Sequence, residues 1–573
     1  MNISRVVLYS LAFCLMPFVL VAKPSQNIVI TQTHYQVPVL LQKTNNPVVR
    51  IHMHIDKAVN KASLAEMVFS TAGSSSWKDI KQLRLFYVGA DSGMYNLWDP
   101  GKLHLFGEST KAGEKLVIKG DQSLKAGDHY FWLSAELKQD VSLLHVISIN
   151  AIQATVNGRS IKIAGLSTLQ QRTGIALRQH NQDSVHTYRI PGLATANDGA
   201  LLAIYDVRRE SARDLQGDID IGVSRSVDGG KTWLPMQIAI DMDEWGGLPE
   251  KFNGVSDANI LVDKNTGAIY IAGLWMHGVL DEQGKWIEGL TSASKDWNHQ
   301  WRNKGSQPGF DVKQTAQFLI VKSEDNGKTW SKPVNITSQC KQEDWWLWAP
   351  APGAGITLRD GTLVFPTQGR DKTGKAFSNI TYSKDGGNTW HTSNRASKES
   401  TTENMAVELS DGTLMLNMRC NKNKTDTGDT NGRVIAITHN LGADWTEHPA
   451  SRGALHEPVC MASIIRHDYV EKARPDDPRQ NDTAGLAFGR GQKKSVLVFA
   501  NPDSKTIRHH MTIRVSYDDG VTWPAVNKIL LDEWKSRGYS CLTSIDADTI
   551  GIVYESSQCD LVFQQIKLKE LLP

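Results

Sequence analysis

A chain of 573 residues is too long for one small domain and can bury large cores. With 63 basic against 61 acidic residues and a formal net charge of +2, it carries no basic excess of the kind that marks a nucleic-acid partner. Seventeen tryptophans are many for this length, and Trp-rich β-proteins often bind sugars.

Residues 1–22 read as a secretory signal: Arg5 supplies the positive start, Val6 to Val21 is apolar, and Ala22 precedes Lys23. The apolar run is at the short end for a membrane span, and no stop-transfer charge cluster comes after it. Cleavage predicts a secreted or periplasmic protein with no membrane span left after processing. The mature chain keeps Cys340, Cys420, Cys460, Cys541 and Cys559, none in CxxC spacing, so a metal knuckle is not expected.

Residues 23–170 contain short runs such as 48–55, 83–88 and 129–134, separated by Gly- and Asp-containing turns. They predict a β-sandwich of roughly seven or eight strands. It serves either as a carbohydrate-binding module or as a domain that braces the rest of the chain.

From residue 171 to 573 the chain is organised by a repeat, S-x-D-x-G-x-T-W, at residues 226–233, 323–330, 383–390 and 516–523, with a weaker copy at 438–445. The Asp closes a turn onto backbone N–H groups, the Gly supplies a backbone angle that other residues resist, and the Trp pins the turn to a sheet. One copy per blade, with insertions, is the signature of a β-propeller, and the repeated aspartates read as hairpin staples rather than as catalysts. The fold class expected is therefore all-β, a propeller preceded by a sandwich.

The segment 186–192, with Arg189-Ile-Pro just ahead of the first repeat, makes 171–573 resemble the exo-α-sialidase (neuraminidase) family with Asp-box repeats. The resemblance implies a six-bladed propeller. The N-terminal part resembles, more weakly, the extra sandwich of some bacterial members. Sialic acid carries a carboxylate on its anomeric carbon, and the family holds it with three arginines, whose planar forks suit a carboxylate. The matching positions are Arg189, Arg419 and Arg508, with Arg514 and Arg433 as alternatives.

That carboxylate repels a carboxylate nucleophile, and sialidases use a tyrosine instead. The match is Tyr539, with Glu403 as its base and Glu408 and Glu457 as alternatives. Asp214 matches the acid/base, with a pKa expected to be raised by partial burial. Arg208 and Asp257 match residues near the sugar's 4-position and N-acetyl group. Gln368 is placed on the leaving-group side, with Trp345, Trp346 and Trp348 as an apolar wall or as core. Cys460-Met-Ala-Ser463 departs from the Cys-Gln common in relatives, which bears on linkage preference. The implied activity is retaining hydrolysis of terminal α-linked sialic acid on glycoproteins, gangliosides and oligosaccharides, and it implies no metal or organic cofactor. A sialic-acid-binding lectin and a trans-sialidase, including an intramolecular one, are the alternatives.

Overall fold

The computed structural model describes residues 27–90, 103–111, 113–215, 217–279, short pieces between 281 and 299, 306–471 and 492–572. The expected signal segment 1–22 lies outside the described residues. The architecture is all-β, and its α-helix among the described residues is the single turn Thr337–Cys340. Among these residues no helix is long and apolar enough to cross a membrane.

The N-terminal part is two sheets face to face. One orders Ile28–His34, Asn46–Ile55, Gly127–Leu137, Ile80–Gly89 and His104–Ser109; the other orders Arg159–Lys162, Asn150–Val156, Ala62–Ser70 and Lys115–Leu124. Against the expected seven or eight strands, these two sheets hold nine among the described residues. The period-two alternation decides the faces: Ile51, Met53 and Ile55 are buried while Arg50, His52 and His54 point out.

Antiparallel meanders come next. They begin with Thr187–Thr195, Asn253–Val262, Leu347–Pro350, Thr401–Glu408, Ser463–Glu471 and Ser540–Asp546, and they pack side by side in chain order. Ser540–Asp546 returns against Thr187–Thr195, so the succession closes on itself. The last meander takes its outer strand from before the first: Gln171–Arg178 pairs antiparallel with Leu561–Lys567. The two parts of the chain are also knitted together. Val39–Leu41 leaves the sandwich and pairs in parallel with Gln171–Arg178, at the edge of that same last sheet.

The repeat does the work the sequence assigned to it. Ser226 Oγ accepts from the N–H of Gly230 at 2.8 Å and donates to Asp228 at 2.9 Å; Asp228 in turn accepts from the N–H and hydroxyl of Thr232 at 2.9 and 2.7 Å. The same bonds recur around Asp325, Asp385 and Asp518. In the weaker copy Asn440 takes the place of the aspartate, accepting from the N–H of Asp444 at 3.0 Å. Trp233 meets Phe563 edge-on, with ring centroids 5.1 Å apart, and so pins the first meander to the last. Gly230 has φ of +93°, and a Cβ there would run into the Phe563 ring.

Candidate active site

First strands of the meanders carry Arg189, Asp257 and Glu403, with Tyr539 just ahead of Ser540–Asp546, while Arg208 and Arg419 come from second strands and Arg508 from a loop. The pairing of three first strands slips beside these residues, in Thr401–Glu408 between Thr401 and Asn404. In Thr187–Thr195 the pairing slips between Arg189 and Gly192, and Ile190 has φ of +59°, an outlier for a β-branched residue. Glu555 holds this conformation. Its carboxylate accepts from Arg189 Nε at 2.9 Å and from the N–H of Ile190 at 3.1 Å. In Asn253–Val262 the register slips between Ser256 and Asn259, and Asp257 has φ of +54°.

Glu403, Arg419 and Tyr539 come from positions up to 136 residues apart and form one cluster. The Tyr539 hydroxyl donates to Glu403 Oε1 in a short hydrogen bond. Arg419 Nη1 donates to Glu403 Oε2 at 2.5 Å and to the Tyr539 oxygen at 3.0 Å. The guanidinium carbons of Arg189 and Arg508 each lie 5.4 Å from the centroid of the Tyr539 ring. Three arginines thus surround one phenol. Arg508 is oriented by main chain: it donates to the carbonyls of residue 537 at 2.9 Å and of Val459 at 2.8 Å.

Tyr539 is 6% exposed. Burial pushes its hydroxyl pKa well above the ordinary value, and the negative charge of Glu403 adds to that, while Arg419 and Arg508 pull the other way. The resting phenol is therefore protonated, with a carboxylate already placed to take the proton.

Asp214 corrects the expectation of a raised pKa. Burial pushes it up, but Arg208 and Arg189 outweigh burial and hold it below the ordinary carboxylate value. Arg208 Nη2 donates to Asp214 at 2.8 Å, and Arg189 Nη1 stands 3.7 Å away. The Asp214 side chain is half exposed, at 48%, so it is open to solvent.

Arg208 itself is fully buried; Asp206, Asp214 and the carbonyls of Ala212 and Arg213 take its donors. Asp257 is 8% exposed. Its carboxyl is pushed well up by burial and by the negative charges of Glu403, Asp214 and Asp206. Gln368 is nearly buried on strand Leu363–Arg370, its amide 3.4 Å from the carbonyl of Pro350.

The alternatives that the sequence left open have other partners. Glu457 pairs with Arg433 at 2.6 Å with both side chains fully buried, Glu408 accepts from the N–H of Arg359, and Arg514 pairs with Asp503 at 2.7 Å. Trp345 and Trp348 belong to the core, Trp348 stacked on Phe318 with centroids 4.3 Å apart, and only Trp346 of the three is partly exposed. Among the described residues the five cysteines are all buried and free. Among the described residues, the acids close enough to share a cation are Asp241, Asp243 and Glu250, all exposed, and none is a site residue named above.

Sequence reasoning missed Glu555. It accepts from Arg189, Ile190 and the N–H of Tyr539, and so fixes an arginine and the tyrosine together. Its signal was faint: an acid directly after the apolar strand Thr549–Tyr554.

Comparisons with known proteins identify the family. Residues 190–526 match the model of the BNR repeat-like domain, and residues 26–160 match the N-terminal domain of BNR-repeat neuraminidase. A sialidase of Bacteroides fragilis is 37% identical over 99% of this chain and 99% of its own length. A sialidase of Clostridium perfringens is 30% identical over 65% of this chain and 86% of its own. The solved structure of the Hadza microbial sialidase Hz136 superposes with a TM-score of 0.80 at 37% identity, covering 95% of this chain and all of that one. A buried tyrosine paired with a glutamate among three arginines, on a repeat fold matched from end to end, shows that the chain belongs to the BNR-repeat exo-α-sialidase (neuraminidase) family.

Proposed function

We propose that the protein is a retaining sialidase that works through a tyrosyl-glycosyl intermediate on a six-bladed propeller, after export to the periplasm or the medium. The observation that carries the mechanism is the Tyr539–Glu403–Arg419 cluster. Arg189, Arg419 and Arg508 take the substrate carboxylate, which seats the anomeric carbon over the phenol. Glu403 accepts the phenolic proton as the oxygen attacks, while Asp214 protonates the departing glycosidic oxygen. Asp214, now a carboxylate, then takes a proton from water; water displaces Tyr539 by attacking from the opposite face, the one the glycosidic oxygen left, and Glu403 returns the proton to the phenolate. Two inversions give retention.

Arg208 serves this scheme by positioning Asp214, and Glu555 by positioning Arg189. Asp257 faces the sugar's 4-hydroxyl and N-acetyl side. The substrates are terminal α-linked sialic acids of glycoproteins, gangliosides and oligosaccharides.

The test is trapping with a fluorinated sialyl donor, followed by peptide mass mapping and by proton NMR of the first product. Label on Tyr539 and an α-anomer of free sialic acid are expected. Label elsewhere, or a β-anomer first, overturns the scheme, and an anhydro product or transfer to an acceptor sugar assigns the same residues to a transferase.

A further inference from the structure

A buried lysine of the N-terminal part reaches across to the connection that holds Arg189. Lys43 follows Val39–Leu41 in a tight turn in which Gln42 has φ of +64°. Asn46, fully buried, fixes that turn: its side chain accepts from the N–H of Leu40 at 2.9 Å and donates to the carbonyls of Leu40 and Lys43 at 3.0 and 3.3 Å. From there the Lys43 ammonium donates to the carbonyl of Gln558 in a short hydrogen bond. Lys43 is 7% exposed.

Gln558 lies in the connection 555–560 between strands Thr549–Tyr554 and Leu561–Lys567. This connection holds the backbone on both sides of Arg189. Asp560 accepts from the N–H of Tyr188 at 2.9 Å, and Glu555 accepts from the N–H of Ile190 and from Arg189 itself. The middle of the connection is tied down in turn. Asp532 accepts from the hydroxyls of Ser556 and Ser557 at 2.7 Å each and from the N–H of Ser557 at 2.8 Å. Lys43 adds a tie from the other part of the chain, one residue further on. Resting on the sialidase reading above, we propose that Lys43 is a positioning residue for the reaction: its charged head fixes the connection 555–560 and, through Glu555 and Asp560, the aim of Arg189 at the substrate carboxylate. The titratable groups that act on the ammonium are Cys559 and Asp532. Burial outweighs both and pushes its pKa down to about 8. The cation is therefore present at neutral pH and lost as pH rises past that value, and a neutral amine holds a carbonyl less firmly.

The test is steady-state kinetics on an aryl sialoside across neutral and alkaline pH, for the full chain and for Lys43→Met and Lys43→Arg, with the thermal midpoint of each. Wild-type kcat/KM is expected to fall as pH rises past about 8. Lys43→Met keeps an unbranched side chain without the charge. It is expected to lower kcat/KM about tenfold at neutral pH, chiefly by raising KM, and to be level where the wild type falls. Lys43→Arg, whose cation does not titrate in this range, is expected to stay within about threefold at neutral pH and to hold that activity past the wild-type limb. Full activity in Lys43→Met, or an alkaline limb that stays in place in both variants, overturns the proposal and leaves Lys43 a fastening that moves only the thermal midpoint. If Lys43→Met does not fold, Lys43→Arg decides alone: a displaced limb supports the proposal and an unmoved one overturns it. A wild-type protein that cleaves no sialoside at any pH sinks the sialidase reading itself, a result distinct from an unmoved limb in an active enzyme.

Discussion

In the proposed scheme Asp214 has to be an acid in one step and a base in the next, yet in the free protein two arginines hold it ionised. The substrate resolves this conflict. When its carboxylate pairs with Arg189, that arginine pulls less on Asp214, and a new negative charge stands nearby; both changes raise the Asp214 pKa. Binding should therefore take up a proton, and affinity for a carboxylate-bearing unsaturated sialic acid analogue should strengthen as pH falls from 7 toward the ordinary carboxylate range. Titration calorimetry in two buffers of different ionisation enthalpy reads the uptake directly. Proton release, or an affinity that does not change with pH in that range, would show that Asp214 does not couple to the clamp.

The residues of this cluster were legible because each sits in a short motif or at a set place relative to a repeat. Glu555 was not, since Arg189 and Ile190, which it holds, lie some 365 positions away and nothing local marks them as its partners. The direction of the Asp214 shift was not legible either. Local sequence suggested burial, whereas the outcome is set by Arg208 and Arg189 reaching it from two different strands.

At the scale of the element, the repeat was legible in almost every detail because its hydrogen bonds stay within five residues. Bonds from Thr389 hold Asp385 down to about 2. Burial alone would raise Asp228, but bonds from Thr232 and Ser226 outweigh it and lower its pKa. A carboxylate with a depressed folded pKa contributes stability that is fully present above its unfolded value and is lost as pH falls through the folded one. Four such turns predict a thermal midpoint that is level near neutrality and drops steadily as pH falls from about 4 toward 2. Asp228→Ala should cost about 1 kcal/mol by removing the three hydrogen bonds its carboxylate accepts at a partly exposed turn. Gly230→Ala should cost more, about 2–3 kcal/mol, because it adds backbone strain to a collision with Phe563. Denaturant unfolding of the two variants checks the order; the reverse order would mean that the turn relaxes away from the last meander at little cost.

At the scale of the molecule, the sequence suggested a boundary near residue 170, and the structure shows how much crosses it. Val39–Leu41 is a three-residue strand, too short to stand out in a periodicity search, yet it completes the edge of the last sheet. Around it the sandwich grips the segment that leads into Tyr539. The N–H of Glu533 donates to the carbonyl of Gln36 at 2.8 Å, and Trp534 sits between Tyr35 and Trp132, with ring centroids 5.2 and 5.9 Å away. Three residues past Trp534, the carbonyl of residue 537 orients Arg508, and Tyr539 lies two positions further on. The sandwich is thus attached to the segment that carries Tyr539, the proposed nucleophile, which favours bracing over an independent module. A chain started at Gln170 would bare the Gln171–Arg178 edge and release Trp534 from both aromatic partners. We expect it to lose several degrees of thermal midpoint and to cleave even a small aryl sialoside at least about tenfold more slowly, because a misplacement of about 1 Å far from the chemistry suffices for that. Restoring only the strand cannot mend this, since Trp132 lies on Gly127–Leu137 rather than beside Val39–Leu41. If the shortened chain instead matches the full one on the aryl substrate and fails only on large glycoproteins, the sandwich is a module that brings substrate to the propeller, and its grip on residues 533 and 534 is incidental.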